Sequence, residues 1–147
     1  MAIRSAKGTL VKLGSGTSPE TFATIAQVRS ITGPTTKGIV QDVTTHSTSG
    51  NYMEKLNMLV DPGTFSAPAN YDKAEVTHAF ATGLWNLLVN LTQRAYRIVF
   101  PATIGYLEMD CYVTGHSFDC PVDNVLRVNF EWTINGAIST ANTAEPV

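Results

Sequence analysis

Residues 127–134, RVNFEWTI, alternate strictly between polar and apolar side chains. Val128, Phe130, Trp132 and Ile134 fall on one side of an extended chain, and the residues between them fall on the other. Successive side chains of a β-strand point to opposite faces, so this pattern predicts a strand with one buried face and one face in water. Such strands are typical of antiparallel sheets.

Residues 107–114, LEMDCYVT, repeat this alternation, and other β-rich segments precede them. In the first long one, residues 20–32, Phe22, Ala26 and Val28 are predicted to share a face. The remaining segments read GTLVKL, GIVQDVTT, TFSAPANY and YRIVFP. A strand-rich chain of 147 residues is long enough for one domain, residues 1–147, with its own core. We expect residues 139–147 to form a flexible tail.

One helix is predicted to begin at Asp72, with Glu75 three residues later as in a capping box. Trp85 and Val89 lie off its apolar face, and we expect them to contact another subunit; the alternative is a covering loop. Gly83 lies mid-helix, where glycine costs about 1 kcal/mol relative to alanine. The predicted core face consists of Val76, Ala79, Phe80, Leu84, Leu87, Leu88 and Leu91.

The order of elements, β-rich segments, one helix and then β again, predicts the fold class. It is a mainly β fold, a β-sandwich or barrel carrying one flanking α-helix. Charged residues make up only 15% of the chain, below the typical value of about 25%. This suits a protein that buries much of its surface in an assembly, and equally a polar β protein rich in Thr, Ser and Asn.

The charge pattern argues against two classes of function. The net charge of −2 lacks the basic footprint of a nucleic-acid binder. No apolar run approaches the roughly 20 residues of a membrane span. The first ten residues have no apolar signal-peptide core, so we expect a cytoplasmic chain with Cys111 and Cys120 reduced.

Catalytic and metal-binding motifs are missing from the sequence. We interpret the three histidines, His46, His78 and His116, as solvated or capping residues, with His116 in a turn. Cys111, His116 and Cys120 supply three ligands at most, whereas a structural zinc site needs four. We therefore predict no catalytic residue, no metal and no cofactor.

Four segments carry a resemblance to one family of proteins. They are ETFATIAQVRSITGP, IVQDVTTHSTSGNYMEKLNMLVDPGTFS, NYD with the helix and RAYRIVFP, and YVTGHSFDCPVDNVLRVNFEWTINGAI.

In order and spacing, these segments resemble the tail tube (major tail) proteins of long-tailed bacteriophages over about residues 20–138. The resemblance implies rings of six subunits that stack into a hollow tube within the virion tail. The implied partners are other copies of the chain, a tape measure protein, a tail-tip or baseplate initiator and a tail terminator. DNA would pass through without specific binding, and assembly would occur in the host cytoplasm.

The resemblance also gives a role to residues 42–63, a stretch with weak periodicity. They would form a long arm that is disordered before assembly and reaches the adjacent ring, which we favour over an ordinary surface loop. Its predicted contacts are Tyr52, Met53, Leu56, Met58, Leu59 and Val60. Glu108, Asp110 and Glu131 are predicted to face the lumen.

Other functions remain open at this point. A tail terminator or a ring protein like that of a type VI secretion tube shares the expected fold. A β-sandwich binding module, for example for carbohydrate, would need an exposed aromatic platform, and none is evident because Phe130 and Trp132 are predicted to point inward.

Overall fold

The computed structural model describes residues 3–101, 104–143 and 145–146. Within these ranges the chain forms eight strands and one short helix. The elements are β1 (Leu10–Gly14), β2 (Phe22–Thr24), β3 (Lys37–Asp42), β4 (Lys55–Asp61), β5 (Thr64–Asn70), α1 (Leu84–Val89), β6 (Gln93–Val99), β7 (Tyr106–Asp119) and β8 (Arg127–Ala141).

Six of the strands form one antiparallel sheet in the order β2-β1-β6-β7-β8-β5, and β3 and β4 form a separate two-stranded sheet. Strands β7 and β8 are the longest, and each pairs with a strand on both sides within this sheet. The prediction of a mainly β fold with antiparallel strands is confirmed.

The segment after β2 closes the large sheet into a barrel. The pairing of this segment with β1 ends at Ile25, whose N–H donates to the Val11 carbonyl. The chain changes direction at Gln27, whose φ is 62°, and then runs beside β5. Bridges join Val28 to Ala69 and Thr32 to Ser66. The two outer strands of the sheet are thereby linked, which leaves few unpaired edges.

This change of direction contradicts one detail of the sequence reading. Phe22, Ala26 and Val28 do not share a face along a single strand. Ile25 is buried in the core, whereas the Phe22 ring lies on the outer surface under the Arg97 guanidinium, 3.8 Å away.

The barrel interior holds the alternating residues of β7 and β8 as predicted. Trp132 is fully buried and stacks on Phe65 with 4.6 Å between ring centroids, and Tyr96 lies 5.7 Å from Trp132. Burial raises the pKa of the Cys111 thiol, which makes it unreactive. The predicted inward residues are buried or packed on the core: Leu107, Met109, Cys111, Val113, Val128, Phe130, Trp132 and Ile134.

The helix is much shorter than predicted. Residues 72–83 form successive turns, and only Leu84–Val89 are helical. Val76, Phe80 and Leu91 are therefore exposed and do not belong to a core face. Leu84 and Leu87 are buried as predicted, and Leu88 is partly buried against the core.

Gly83 explains the interruption. Its backbone is extended, and the Leu84 N–H donates to the Thr77 carbonyl, so the chain folds back before the helix starts. A Cβ atom at Gly83 would lie 2.7 Å from the Ala79 carbonyl oxygen. Helical spacing on either side of Gly83 imitated one continuous helix in the sequence.

Substitution of Gly83 by alanine should destabilise the fold, because the added methyl group meets backbone atoms that cannot move aside. We expect a loss of roughly 1–3 kcal/mol in the free energy of unfolding. Urea denaturation measures it, with the exposed neighbour Ala81→Ser as control. Equal midpoints for the two variants would contradict this account.

Part of the predicted flexible tail, residues 139–147, is ordered in the structure, whereas residues 144 and 147 lie outside the described residues. Strand β8 continues to Ala141. Beyond it, the Glu145 carboxylate forms ion pairs with Lys12 on β1 and with Arg97 on β6. All three side chains are less than one-fifth exposed.

Candidate assembly surfaces

The β3–β4 ribbon, residues 37–61, projects from the barrel. Its register pairs Ile39 with Leu59 and Val40 with Asn57, which leaves Met58 as a bulge. The predicted arm began at residue 42, but the ordered ribbon begins earlier. It has a hydrogen-bonded ladder in the single chain, where the sequence predicted disorder.

Apolar side chains occupy both faces of this ribbon. Ile39, Leu56 and Leu59 share one face, and Val40 and Val60 share the other. Exposure of the six predicted arm residues runs from 52% at Leu56 to 85% at Tyr52. Exposed apolar surface on this scale marks an interaction site. Whether Tyr52, Met53, Leu56, Met58, Leu59 and Val60 contact another subunit stays a prediction.

The base of the ribbon is fixed to the barrel by hydrogen bonds. The Thr36 hydroxyl donates to the Pro62 carbonyl at 3.2 Å, and the Gly63 N–H donates to the Asp61 carboxylate at 2.9 Å. Gly63 has a φ of 80°, and a Cβ there would lie 2.8 Å from Thr35 Oγ1. Glycine therefore permits the sharp turn from the ribbon into β5.

The far end of the ribbon is also ordered. The Thr44 N–H donates to Asp42 Oδ1 at 2.9 Å, and the Glu54 N–H donates to the Thr44 hydroxyl at 2.8 Å. Hydrogen bonds from Thr44, first of the side chain and then of the backbone, lower the pKa of the Asp42 carboxyl. The Thr- and Ser-rich composition of this stretch supplies side chains that close the turn.

A second surface, the aromatic patch, consists of Tyr71, Phe80, Trp85 and Phe118. Phe80 lies 5.7 Å from Trp85 and 6.0 Å from Phe118, and Tyr71 lies 5.3 Å from Phe118. Sequence reasoning singled out Trp85 but missed the other three rings, because turns at 72–83 and strand β7 bring them together.

Trp85 and Val89 lie at the protein surface, as one of the two readings of the sequence expected. Trp85 is 37% exposed and Val89 is 61% exposed, so no described loop covers them. Their contact with another subunit stays a prediction.

Two histidines are more buried than the sequence suggested. His78 is 1% exposed; its Nδ1 accepts from the Asp72 N–H at 3.0 Å, and its Nε2 donates to the Ala26 carbonyl at 2.8 Å. His116 lies in strand β7 and not in a turn. Its ring nitrogens are shielded from water and have no hydrogen-bond partner in the described chain, and Trp85 lies 5.2 Å away.

Acidification should destabilise the fold through His116. Burial lowers the pKa of this imidazole, with His78 adding to the effect, so the unfolded chain binds the proton more tightly. Stability is full above the ordinary pKa of about 6.5 and falls as the pH drops through that value. Thermal unfolding at pH 7.5 and 5.5 should show a smaller pH effect in His116→Phe than in His46→Gln, an exposed control. Equal pH effects would contradict the assignment.

The outer face of the barrel carries the three predicted lumen residues. Glu108 is paired with Arg97 at 3.3 Å, whereas Asp110 is exposed. Glu131 is also exposed but lies opposite Gly115, further along β7, so the structure does not bring the three carboxylates together. Their position relative to a lumen stays a prediction.

Glu145 joins this outer face, although no pattern in the sequence indicates it. Burial alone would raise the pKa of the Glu145 carboxyl, but hydrogen bonds from Lys12 and Arg97 outweigh burial and lower it. The partners are far apart in the chain and meet only because β1 and β6 are neighbours in the barrel.

The described residues contain little that resembles an active site. A groove of about 760 Å³ lies at one barrel end, and Arg4, Lys7 and Arg29 line it with Ile31 and Phe100, but no carboxylate, histidine or cysteine does. Across the described ranges, no three His, Cys, Asp or Glu side chains are placed to hold a metal ion. No described helix is long and apolar enough to span a membrane.

Comparison with solved structures identifies the fold. A chain from the tail of an empty GTA (gene transfer agent) particle, refined with helical and C6 symmetry, superposes with a TM-score of 0.77. It is 18% identical, and the match covers 95% of this chain and 99% of that chain. The chain has a tail-tube-like fold.

Two further structures agree with this result. A chain of the anti-feeding prophage baseplate has a TM-score of 0.70 at 9% identity, covering 97% of this chain and 98% of that chain. The SPP1 tail tube has a TM-score of 0.65 at 7% identity, covering 93% and 78%. Neither protein-family models nor curated protein sequences give a match. The predicted tail-tube-like fold is thus confirmed by structure.

Proposed function

We propose that this protein is the structural subunit of a phage-type tail tube, in which rings of six copies stack around a hollow lumen. The observation that carries the proposal is the near-complete superposition on a tail chain refined with C6 symmetry. An exposed apolar ribbon supports it, since a free monomer gains nothing from such a surface.

In this proposal each surface has a role. The ribbon, with Tyr52, Met53, Leu56, Met58, Leu59 and Val60, contacts the adjacent ring. Trp85 and Val89 contact a neighbouring subunit. Glu108, Asp110 and Glu131 face the lumen, where carboxylates do not attract DNA phosphates.

The partners and location follow from the same role. The chain binds copies of itself, a tape measure protein, a tail-tip or baseplate initiator and a tail terminator. DNA passes without specific binding during ejection, and the assembled protein belongs to the virion tail after assembly in the host cytoplasm. We infer a structural and not an enzymatic role, because the solved structures that the chain resembles are parts of tail and baseplate particles.

A second candidate is a ring protein of the same fold with another role. It could be a terminator or baseplate component that forms a single ring, or a type VI secretion tube-like protein. The likeness to a chain of the anti-feeding prophage baseplate favours it. A monomeric carbohydrate-binding module could use the exposed rings of the aromatic patch, but it gives no role to the exposed apolar ribbon.

Negative-stain electron microscopy of the concentrated protein at neutral pH tests the proposal. Hollow tubes with six-fold rings are the expected result. Single capped rings would favour the ring-protein candidate. A monomer that fails to form rings even after addition of its initiator complex would refute both.

A further inference from the structure

The ribbon and the aromatic patch lie at opposite ends of strand β5. The ribbon leads into β5 through Asp61 and Gly63, whereas Tyr71 of the patch follows directly after Asn70. A seven-residue strand spans about 20 Å. The apolar side chains of the ribbon are exposed in the single chain, and so are Phe80, Trp85 and Phe118 of the patch. Tyr71 is partly buried and joins the patch to the core.

The two surfaces have matching chemistry. Ribbon residues 38–41 and 56–60 include no acidic or basic side chain, and the patch consists of the rings of Phe80, Trp85 and Phe118 with the phenol of Tyr71. Each surface combines exposed apolar groups with an ordered backbone. Contact between them would remove apolar area from water without burying a charge, at a small cost in conformational entropy.

We infer that the ribbon of one copy docks on the aromatic patch of a second copy. This inference rests on the proposed function and names the partner surface of the ribbon. Because the two surfaces differ and lie at opposite ends of β5, the contact is heterologous. Every bound copy then offers a free ribbon at one end and a free patch at the other, which produces open stacking.

The geometry of the patch suits a β-ribbon as its occupant. Phe80, Trp85 and Phe118 form edge-on ring contacts that leave partly exposed edges and faces. Branched aliphatic side chains such as Leu59 can pack against such rings. Large aromatic residues at the centre of an interface contribute most of the binding energy.

Two variants, each lacking one of the two surfaces, test the inference without requiring tubes. Leu59→Asp disables the ribbon and keeps the patch, whereas Phe80→Asp disables the patch and keeps the ribbon. Each variant alone should stay monomeric, and an equal mixture should form a 1:1 dimer that stops there. Sedimentation should give a dissociation constant for the mixture at least about tenfold below that of either variant alone.

Controls separate docking from folding. Ile3→Asp changes an equally exposed apolar residue outside both surfaces, and it should assemble like the unmodified chain. Trp85→Asp, at a partly exposed residue of the patch on α1, serves as a second patch variant if Phe80→Asp unfolds. Circular dichroism establishes folding of each variant.

Two outcomes would overturn the inference. One is a mixture that stays monomeric at concentrations where the unmodified chain assembles. The other is self-association of Phe80→Asp, since this would mean that ribbons pair with each other. If the unmodified chain forms six-fold tubes but the mixture of the two variants forms no dimer, the docking is refuted and the tube function is not. If the mixture forms a dimer but the unmodified chain forms open fibres without six-fold rings, the tube function is refuted and the docking is not.

Discussion

Replacement of residues 38–60 by an Asn-Gly turn will abolish tube formation and leave the barrel folded. Lys37 and Asp61 are direct cross-strand partners, so a two-residue turn of this type can join them. The deleted residues contribute nothing to the buried core. Electron microscopy should show no tubes, while the melting temperature of the monomer stays close to that of the full chain.

The control for this deletion keeps the length of the ribbon and changes its chemistry. Leu56→Ser, Leu59→Ser and Val60→Ser together preserve the backbone but remove apolar side chains from both faces. This variant should also fail to form tubes. Normal tubes from the shortened chain would refute the role of the ribbon, and normal tubes from the serine variant alone would assign that role to its backbone.

Trp132→Ala will produce the largest loss of stability. Trp132 is fully buried between Phe65 and Tyr96, so its removal leaves a cavity in the centre of the barrel. Truncation of buried aromatic residues costs about 3–5 kcal/mol. Domains of this size are stable by roughly 5–15 kcal/mol, so a large part of the stability is lost. Urea denaturation measures this loss.

Trp85→Lys is the matched comparison, since it changes the other tryptophan of the chain. Trp85 is partly exposed on α1, and a lysine there can reach water. We expect assembly into tubes to fail while the monomer unfolds near the midpoint of the unmodified chain. Unfolding of the Trp85→Lys monomer would show that this residue is core and not a contact surface.

Period-two alternation made the central strands predictable. Residues on β7 and β8 face either the core or water, and the alternation of apolar and polar side chains shows which face each residue takes. The helix was less predictable because Gly83 is the one break in an otherwise helical series. Only the carbonyl oxygens of Thr77 and Ala79, brought close by the turns, show why glycine is needed there.

The assembly surfaces were only partly predictable. Exposed apolar residues on the ribbon stood out because an apolar run beside Thr and Ser is unusual. The aromatic patch did not, since Tyr71, Phe80 and Phe118 come from separate segments. Glu145 was hidden for the same reason, because its partners Lys12 and Arg97 lie far away in the chain.

The bulge at Met58 affects the tendency of the unassembled chain to aggregate. A projecting ribbon with apolar side chains invites the regular strand stacking that produces amyloid. The extra residue interrupts its hydrogen-bonded ladder and twists the strand, so identical ribbons cannot stack in continuous register. We therefore expect a concentrated solution of the single chain to stay dispersed where an unbulged ribbon would aggregate.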